Sequence, residues 1–201
     1  MKTIALAFTG ASGLPYGMRL LECLLKSGQR VWLTYSQAAQ IVAKQELDMV
    51  LPAQPREAER LLCEKVGTAD GQLTVYGRDD WNAPMASGSN PPDAYVICPC
   101  TNGTLAKVAA GMADDLLTRT ADVVLKEGRK LILVPRETPL SAIALENMLR
   151  LSRAGAVILP PSPAFYHRPT DLQGLVDFVV ARILDQLGIE HQLMERWGSE
   201  S

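Results

Sequence analysis

Short apolar runs alternate with helical patterns along the chain, and this alternation constrains the fold more than any other feature. The first run covers residues 3–9 and is followed at once by Gly10-Ala11-Ser12-Gly13. Continuous apolar runs are typical of parallel strands that are buried on both faces. Because strands that alternate with helices pair in parallel, the sequence predicts an α/β fold with a doubly wound parallel sheet between two layers of helices.

The predicted elements follow one another without internal repeats and without a linker that would divide the chain. Strands are predicted over residues 3–9, 30–35, 73–76, 94–98, 130–134 and 156–159. Helices are predicted over residues 16–26, 37–47, 55–66, 104–110, 116–127, 141–154 and 172–187, with a long polar loop over residues 78–92. In such folds ligands bind at the carboxyl ends of the strands, so the loops there are expected to hold the functional residues.

Length and charge exclude several classes of protein. The 201 residues fit one domain, and 20 Lys and Arg residues against 22 Asp and Glu residues give a net charge of −2. Proteins that hold a nucleic-acid backbone usually carry a large basic excess instead. No apolar run approaches the ~18–20 residues of a membrane-spanning helix. The sequence therefore indicates a cytoplasmic protein that binds neither nucleic acid nor membranes.

Cysteine and histidine residues do not form the pattern of a metal site. Two of the four cysteines lie alone in helical patterns, and Cys98-Pro99-Cys100 is not a Cys-x-x-Cys pair. His167 and His191 are the two histidines of the chain, and neither has a Cys or His partner at zinc spacing. We therefore predict no metal site and no Ser-His-Asp triad, and we expect the thiols to be reduced.

The small residues after the first predicted strand are compatible with a phosphate site. They let backbone N–H groups approach a phosphate, although glycines also form plain tight turns between a strand and a helix. The dinucleotide fingerprint G-x-G-x-x-G is absent, and the second strand ends in Thr34-Tyr35-Ser36 without an acidic residue for a ribose. This loop therefore favours a mononucleotide over NAD.

Charged and aromatic side chains occur at three further places. One helical stripe has the spacing i, i+4, i+7, i+11, which is more often a solvated face with i, i+4 pairs; it comprises Asp115, Arg119, Asp122 and Lys126. Arg136-Glu137 follows a buried strand, where ligands bind. Arg182 lies at the edge of an apolar helical stripe, and Tyr166 lies in the Pro-rich loop 160–169. The helical stripe, Arg182 and the Tyr166 loop each have a plain structural interpretation as well.

Several of these segments together resemble the flavin prenyltransferase family, the UbiX-type enzymes once grouped with aromatic-acid decarboxylases. The stretches that carry the resemblance are TGASGLPYGMRLL, PMASGSNPPDAYVICPCTNGTLAKVAAG, LLTRTADVVLKEGRKLILVPRETPLSAIALENMLRLSRAGAVILPPSPAFYHRP and VDFVVARILDQLGI. The similarity runs from about residue 3 to residue 189 and is weakest over residues 48–78. It implies a flavodoxin-like or Rossmann-like domain over residues 1–189, a tail over residues 190–201, and a homo-dodecamer with active sites at subunit junctions.

The resemblance also implies a reaction and its participants. Family members join a dimethylallyl group from dimethylallyl monophosphate to N5 and C6 of reduced FMN, without a metal. The product, prenylated FMN, is passed to a partner decarboxylase that depends on it. The residues alone do not separate the monophosphate donor from a diphosphate donor.

Site residues follow from the resemblance position by position. The FMN site would comprise Gly10, Ala11, Ser12, Ser36, Thr101, Asn102, Gly103, Thr104 and Arg119. The donor phosphate would be held by Lys126, Arg136, Tyr166 and Arg182, with Glu137 in the same pocket. Trp81 matches an aromatic residue near the prenyl tail, and Glu46 with Ser12 matches a proton-relay pair. Three positions depart from the family pattern: Thr101 in place of serine, Asp115 in place of asparagine and Gly128 in place of arginine.

The chemistry is consistent with these residue types. Cations would stabilise the phosphate that leaves, and the π-face of Trp81 would stabilise a developing allyl cation. Glu46, Glu137 or the departing phosphate would take the proton lost on ring closure. Two other functions fit the fold: an FMN-dependent peptidyl-cysteine decarboxylase, which uses a histidine near the flavin, and a flavodoxin-like electron carrier, which is usually strongly acidic.

Overall fold

Six strands and seven α-helices are formed by residues 1–68 and 71–194, the part of the chain that the computed structural model describes. The strands are β1 (Thr3–Phe8), β2 (Arg30–Tyr35), β3 (Leu73–Val75), β4 (Ala94–Cys100), β5 (Lys130–Pro135) and β6 (Val157–Ile158). The helices are α1 (Leu14–Lys26), α2 (Gln37–Leu47), α3 (Pro55–Val66), α4 (Asn102–Ala109), α5 (Leu116–Lys126), α6 (Ala142–Arg153) and α7 (Leu172–Leu187). No described helix is both long enough and apolar enough to cross a bilayer.

All six strands pair in parallel, in the order β3-β2-β1-β4-β5-β6. This confirms the predicted doubly wound sheet, and the order is the one typical of dinucleotide-binding folds. The order reverses between β1 and β4, where Ile4 pairs with Ala94 and Ala7 with Ile97. The crevice at the carboxyl ends of β1 and β4 is therefore the expected place for a ligand.

Each face of the sheet has its own hydrophobic core, because successive side chains of a strand point to opposite faces. On β1, the large side chains Ile4, Leu6 and Phe8 pack with α1, α2, α3 and α7. The small side chains Ala5 and Ala7 face α4, α5 and α6 on the other side. Since β1 is covered on both faces, its sequence reads as one apolar run.

Most predicted element boundaries agree with the structure to within two residues. The predictions for β2, α2 and α7 are confirmed at both ends. Two predictions are wrong in an informative way. Helix α1 begins at Leu14 rather than residue 16, because Pro15 fits the first turn, where an N–H is not needed. Strand β4 continues through Pro99 to Cys100, with a register shift towards β5 after Ile97, because Pro99 has no N–H to donate.

Side-chain caps begin five of the helices. The caps are Ser36 on α2, Thr101 on α4, Asp115 on α5, Ser141 on α6 and Asp171 on α7. Each accepts a hydrogen bond from the backbone N–H three residues later, over 2.8 to 3.2 Å. Asp115 forms a full capping box with Thr118, a role that suits aspartate at the start of a helix.

The connection from β3 to β4, residues 76–93, is named the crossover loop. It contains a 3₁₀ turn over Pro84–Ala86 and replaces a helix on the α5 side of the sheet. At its start, the Arg78 carbonyl accepts from the Leu116 N–H over 2.7 Å. At its end, the Asp93 carboxylate accepts from the Thr3 N–H over 2.8 Å. The loop therefore runs along α5 from the carboxyl edge of the sheet to the amino edge.

Candidate active site

The ends of β1 and β4 are joined by a buried hydroxyl group. Thr9 Oγ1 donates to the Pro99 carbonyl over 2.7 Å and accepts from the Thr101 N–H over 2.9 Å. The residue is 1% exposed. The sequence analysis did not single out Thr9, although a polar residue at the end of an apolar run was a usable signal. This hydroxyl fixes the distance between the two loops that flank the crevice.

The N-terminus of α1 is occupied by a carboxylate from another helix. Glu46 of α2 accepts from the Gly13 N–H with both oxygens at 3.0 Å and from the Leu14 N–H at 2.8 Å. Gly13 has a φ of 115°, which favours glycine and turns these N–H groups towards the carboxylate. Dinucleotide-binding folds place a pyrophosphate at this helix terminus. A phosphate bound by this chain is therefore expected at another helix N-terminus. The N-terminus of α2, which Ser36 caps, lies at the same carboxyl edge of the sheet.

The loop after β4 and the first residues after β5 are hydrogen-bonded to each other. Asn102 Nδ2 donates to Glu137 Oε2 over 3.2 Å, and the Thr138 N–H donates to Glu137 Oε1 over 3.1 Å. Arg136 Nε donates to the Ser12 carbonyl over 3.2 Å. Three predicted site segments, from the ends of β1, β4 and β5, therefore meet at the crevice. We name this group the switch-point cluster; its members are Thr9, Ser12, Glu46, Thr101, Asn102, Arg136 and Glu137.

One acceptor of this cluster has no partner among the described residues. Asn102 Oδ1 is buried and accepts no hydrogen bond from the described part of the protein. A buried carbonyl oxygen without a donor is unfavourable unless a ligand or water supplies one. The side chain of the preceding residue does have a partner, since Thr101 Oγ1 accepts from the Thr104 N–H over 3.1 Å. Asn102 Oδ1 is therefore an acceptor available to an N–H of a ligand.

The thiols beside the crevice do not have the properties of nucleophiles. Cys98 and Cys100 are fully buried on β4. Burial raises the pKa of Cys98 well above its ordinary value and raises that of Cys100 to about 12. Both therefore remain protonated thiols near neutral pH.

The charged stripe of α5 contacts the crossover loop and does not form the i, i+4 pairs that its spacing indicated. Asp115 caps the helix, and Arg119 pairs with Asp122 at i+3 over 2.8 Å. Arg119 Nε also donates to the Ala86 carbonyl over 3.0 Å. Lys126 pairs with its neighbour Glu127. The crossover loop therefore covers part of this stripe, and its Ala86 carbonyl is the acceptor for Arg119.

Tyr166 packs against α7, the helix that also carries Arg182. The Tyr166 ring contacts the His167 ring at an interplanar angle of 48° and meets the Phe178 ring edge-on, with the Tyr166 and Phe178 centroids 6.1 Å apart. Arg182 follows Phe178 by one helical turn, is half exposed, and donates to Asp185 over 2.7 Å. Trp81, at the start of the crossover loop, is also half exposed.

The four residues predicted to hold one phosphate lie in three separate parts of the fold. Lys126 is on α5, Arg136 follows β5, and Tyr166 and Arg182 are at α7. Lys126 ends α5, four residues before β5 begins, whereas Arg136 directly follows β5. Six residues of strand span about 20 Å, so the two cations lie at opposite edges of the sheet. Helices α5 and α7 also cover opposite faces, which separates Lys126 from Arg182. One chain therefore brings Arg136 to the crevice but does not bring Lys126 there.

Comparisons with known proteins agree with this fold. The model of the Flavoprotein family matches residues 1–184. Flavin prenyltransferase UbiX of Pseudomonas aeruginosa is 55% identical over 197 residues, which is 98% of this chain and 94% of that protein. The crystal structure of AnUbiX (PadA1) in complex with FMN and dimethylallyl pyrophosphate is 40% identical, with a TM-score of 0.88 over 100% of this chain and 99% of that one.

A second solved structure is similar over almost its whole length. It is a dodecameric FMN-dependent UbiX-like decarboxylase from Escherichia coli O157:H7, 42% identical, with a TM-score of 0.85 over 98% of this chain and 100% of that one. The family model covers well over half of the chain, and the Pseudomonas relative is far above the identity at which family membership is secure. The chain is a member of the flavin prenyltransferase family.

Proposed function

We propose that the chain is a flavin prenyltransferase that joins a dimethylallyl group from dimethylallyl monophosphate to N5 and C6 of reduced FMN. The observation that carries this proposal is the switch-point cluster, where Ser12, Asn102, Arg136 and Glu137 meet in a chain that belongs to this family. The product is prenylated FMN, and its recipient is a partner decarboxylase that depends on it.

The crevice contains polar groups that suit the binding of FMN. Asn102 Oδ1 is a buried acceptor without a donor among the described residues, and the uracil-like ring of a flavin carries an N–H. Ser36 lies at the N-terminus of α2, which is 11 residues long and attracts a phosphate by its first N–H groups. The remaining proposed FMN contacts come from the loops after β1 and β4 and from α5; they are Gly10, Ala11, Ser12, Thr101, Gly103, Thr104 and Arg119. When bound, reduced FMN would supply a nucleophilic nitrogen, N5, and the ring carbon C6 two bonds away from it.

The donor is activated by positive charge at its phosphate. The C–O bond of the donor breaks with its electron pair going to the phosphate as the freed prenyl carbon bonds to N5, which releases its proton. The prenyl double bond then takes up a proton at its inner carbon, and its outer carbon bonds to C6, which loses a proton as the ring closes. Arg136, Lys126 and Arg182 neutralise the leaving phosphate, and the Tyr166 hydroxyl donates to it. We propose that this occurs without a metal. Among the described residues, no three His, Cys, Asp or Glu side chains converge as metal ligands do.

The distribution of these cations favours a site shared between copies of the chain. Lys126 and Arg182 are roughly half exposed and lie on helices that cover opposite faces of the sheet. A neighbouring copy can therefore place them over the crevice that holds Arg136. We propose that the chain assembles as a homo-dodecamer, as the Escherichia coli relative does, with each reaction centre at a junction of copies.

Ring closure releases a proton from C6, and we propose two carboxylates of the switch-point cluster as candidates to receive it. Glu137 is held by Asn102 and Thr138, and Glu46 is held at the N-terminus of α1 beside Ser12. The departing phosphate is the third acceptor. Trp81 stabilises the developing allyl cation by its π-face. Glu46→Gln separates the bases, since full ring closure by this variant would remove Glu46 from consideration.

We also propose that residues 1–189 form the prenyltransferase domain and that the enzyme works in the cytoplasm. The unpaired thiols of Cys23, Cys98 and Cys100 support a reducing compartment. In the part of the proposed tail that the structure describes, His191 hydrogen-bonds to Asp185 of α7 over 3.2 Å. The rest of the tail, residues 195–201, lies outside the described residues.

The direct test is to incubate the protein anaerobically with reduced FMN and dimethylallyl monophosphate and to weigh the released flavin by mass spectrometry. We expect a flavin heavier by one C5 unit, and we expect Arg136→Ala to abolish it. The diphosphate donor in a parallel reaction shows which leaving group is accepted. Unchanged FMN with both donors would contradict the proposal, and a peptide with a C-terminal cysteine would then test the decarboxylase alternative.

A further inference from the structure

The crossover loop contacts the charged stripe of α5 at two positions along the helix. One contact is the hydrogen bond from Arg119 to the Ala86 carbonyl, 3.0 Å long. The other is Gly88, which lies directly against the charged ends of Lys126 and Glu127. A Cβ on Gly88 would overlap Lys126 Nζ and Glu127 Oε1 and would come within 3.1 Å of Glu127 Cδ. The space that a side chain would fill is therefore occupied by an ammonium–carboxylate pair.

The loop holds Gly88 in this place by its own hydrogen bonds. Ser87 Oγ and Ser89 Oγ are 2.9 Å apart, and the Asn90 N–H donates to the Ser87 carbonyl over 3.2 Å. Gly88 is not among the glycines with a positive φ, so its backbone conformation is open to any residue. The reason for glycine at this position is therefore the space that it leaves and not its conformational freedom.

We propose that Gly88 is a positioning residue for Lys126. The missing side chain leaves a slot between the serine turn and Glu127, and this slot holds the Lys126 ammonium where it meets the donor phosphate. The proposal rests on the proposed function, because it concerns the role of Lys126 in binding dimethylallyl monophosphate. In this proposal Gly88 acts on donor binding through the position of the lysine side chain.

Alanine at position 88 should displace the charged groups without unfolding the protein. The atoms that its Cβ would meet are the far ends of flexible side chains, and the side chains of Lys126 and Glu127 are 46% and 34% exposed. They can therefore swing into solvent. Gly77→Ala in the same loop is the matched control, since its Cβ would meet Pro55 Cγ at an ordinary 3.7 Å.

The first experiment compares the KM for dimethylallyl monophosphate with the KM for reduced FMN in both variants. We expect Gly88→Ala to raise the KM for the donor about tenfold, the effect of one misplaced charge-assisted hydrogen bond, and to leave the KM for FMN unchanged. Gly77→Ala should change neither constant. Equal increases in both constants for Gly88→Ala, or a lowered thermal midpoint, would mean that Gly88 supports the fold and would overturn the proposal.

A double-mutant cycle then tests whether the effect passes through the lysine. In a Lys126→Ala background no ammonium is left to misplace, so adding Gly88→Ala should have no further effect on the KM for the donor. An additional tenfold increase would show that Gly88 acts on the substrate by another route.

A readout without substrates separates this proposal from the proposed function. Limited acetylation with an amine-reactive ester, followed by peptide mass spectrometry, reports the accessibility of Lys126. We expect Gly88→Ala to increase the acetylation rate of Lys126 severalfold and Gly77→Ala to leave it unchanged. An unchanged rate in Gly88→Ala would overturn the proposal, whereas failure of the wild-type protein to prenylate FMN would overturn the proposed function and leave the acetylation result standing.

Discussion

The switch-point cluster and the outer cations Lys126 and Arg182 differ in how many partners hold them. Thr9 and Glu46 each take part in two or more hydrogen bonds with residues of another element, and Glu137 accepts one from Asn102 of the loop after β4. Lys126 and Arg182 are roughly half exposed, and the ion pair of each is with an acidic residue one or three positions further along the chain. One half of the proposed site is therefore organised within each chain, and the other half needs a neighbour to become organised.

The largest expected effect comes from mixing two inactive variants. Lys126→Ala and Arg136→Ala should each lower the rate of flavin prenylation by at least about 100-fold, because each removes a cation from the leaving phosphate. If the site is shared, dissociating and reassembling the two variants together should restore part of the activity. Some reconstituted centres would receive Lys126 from one chain and Arg136 from another.

The control for this experiment is each variant dissociated and reassembled alone, which should stay inactive. Activity is measured as the mass of the released flavin. A mixture that stays inactive while mixed oligomers are present by native mass spectrometry would show that a single chain must supply both cations.

The second-largest effect is expected in the switch-point cluster, the half of the proposed site that is organised within one chain. Thr9→Val keeps the shape of the side chain but leaves the Thr101 N–H and the Pro99 carbonyl without their partner. We expect the free energy of unfolding to fall by about 1–3 kcal/mol and the affinity for FMN to fall with it. Urea denaturation and flavin fluorescence measure the two quantities. Ser12→Ala, which removes an exposed hydroxyl, is the control and should leave the unfolding free energy unchanged.

A smaller effect is expected in alkali at the carboxyl edge of the sheet. The Tyr35 hydroxyl donates to the Pro52 carbonyl, and burial raises the pKa of Tyr35 from 10.0 to about 12. Because the folded state holds this proton more tightly, its contribution to stability is complete below pH 10 and is lost as the pH rises to about 12. Urea denaturation between pH 9 and pH 12 should show a smaller decline for Tyr35→Phe than for the wild-type protein. An identical decline would show that Tyr35 titrates as it does in the unfolded chain.

The smallest effect is expected at the cap of α5. Asp115→Asn keeps an acceptor for the Thr118 N–H, so the free energy of unfolding should change by less than about 1 kcal/mol. Asp115→Ala removes the cap and should cost more. Thermal denaturation of both variants, compared with the wild-type protein, tests this order, and a larger loss for asparagine than for alanine would contradict the capping role.

Local patterns predicted the fold and one part of the site. Strand β2 and helices α2 and α7 follow from apolar spacing and a cap, which are properties of neighbouring residues. The position of Arg136 and Glu137 at the crevice follows from the rule that ligands bind where strands end. The capping of α1 by Glu46 was not predictable in this way, because it joins groups 33 residues apart. The resemblance places Lys126 and Arg182 in one pocket, yet α5 and α7 lie on opposite faces, which depends on the strand order.

The placement of α5 and α7 on opposite faces also limits which assemblies can work under the proposed arrangement. Each copy would offer one crevice and two cationic surfaces that face away from each other. Two copies alone would leave crevices without a complete set of cations, and an open row would leave unfilled crevices at its ends. In a closed shell every reaction centre receives the same set of cations. The activity of the shell should therefore fall more steeply on dilution than the fraction of folded protein does.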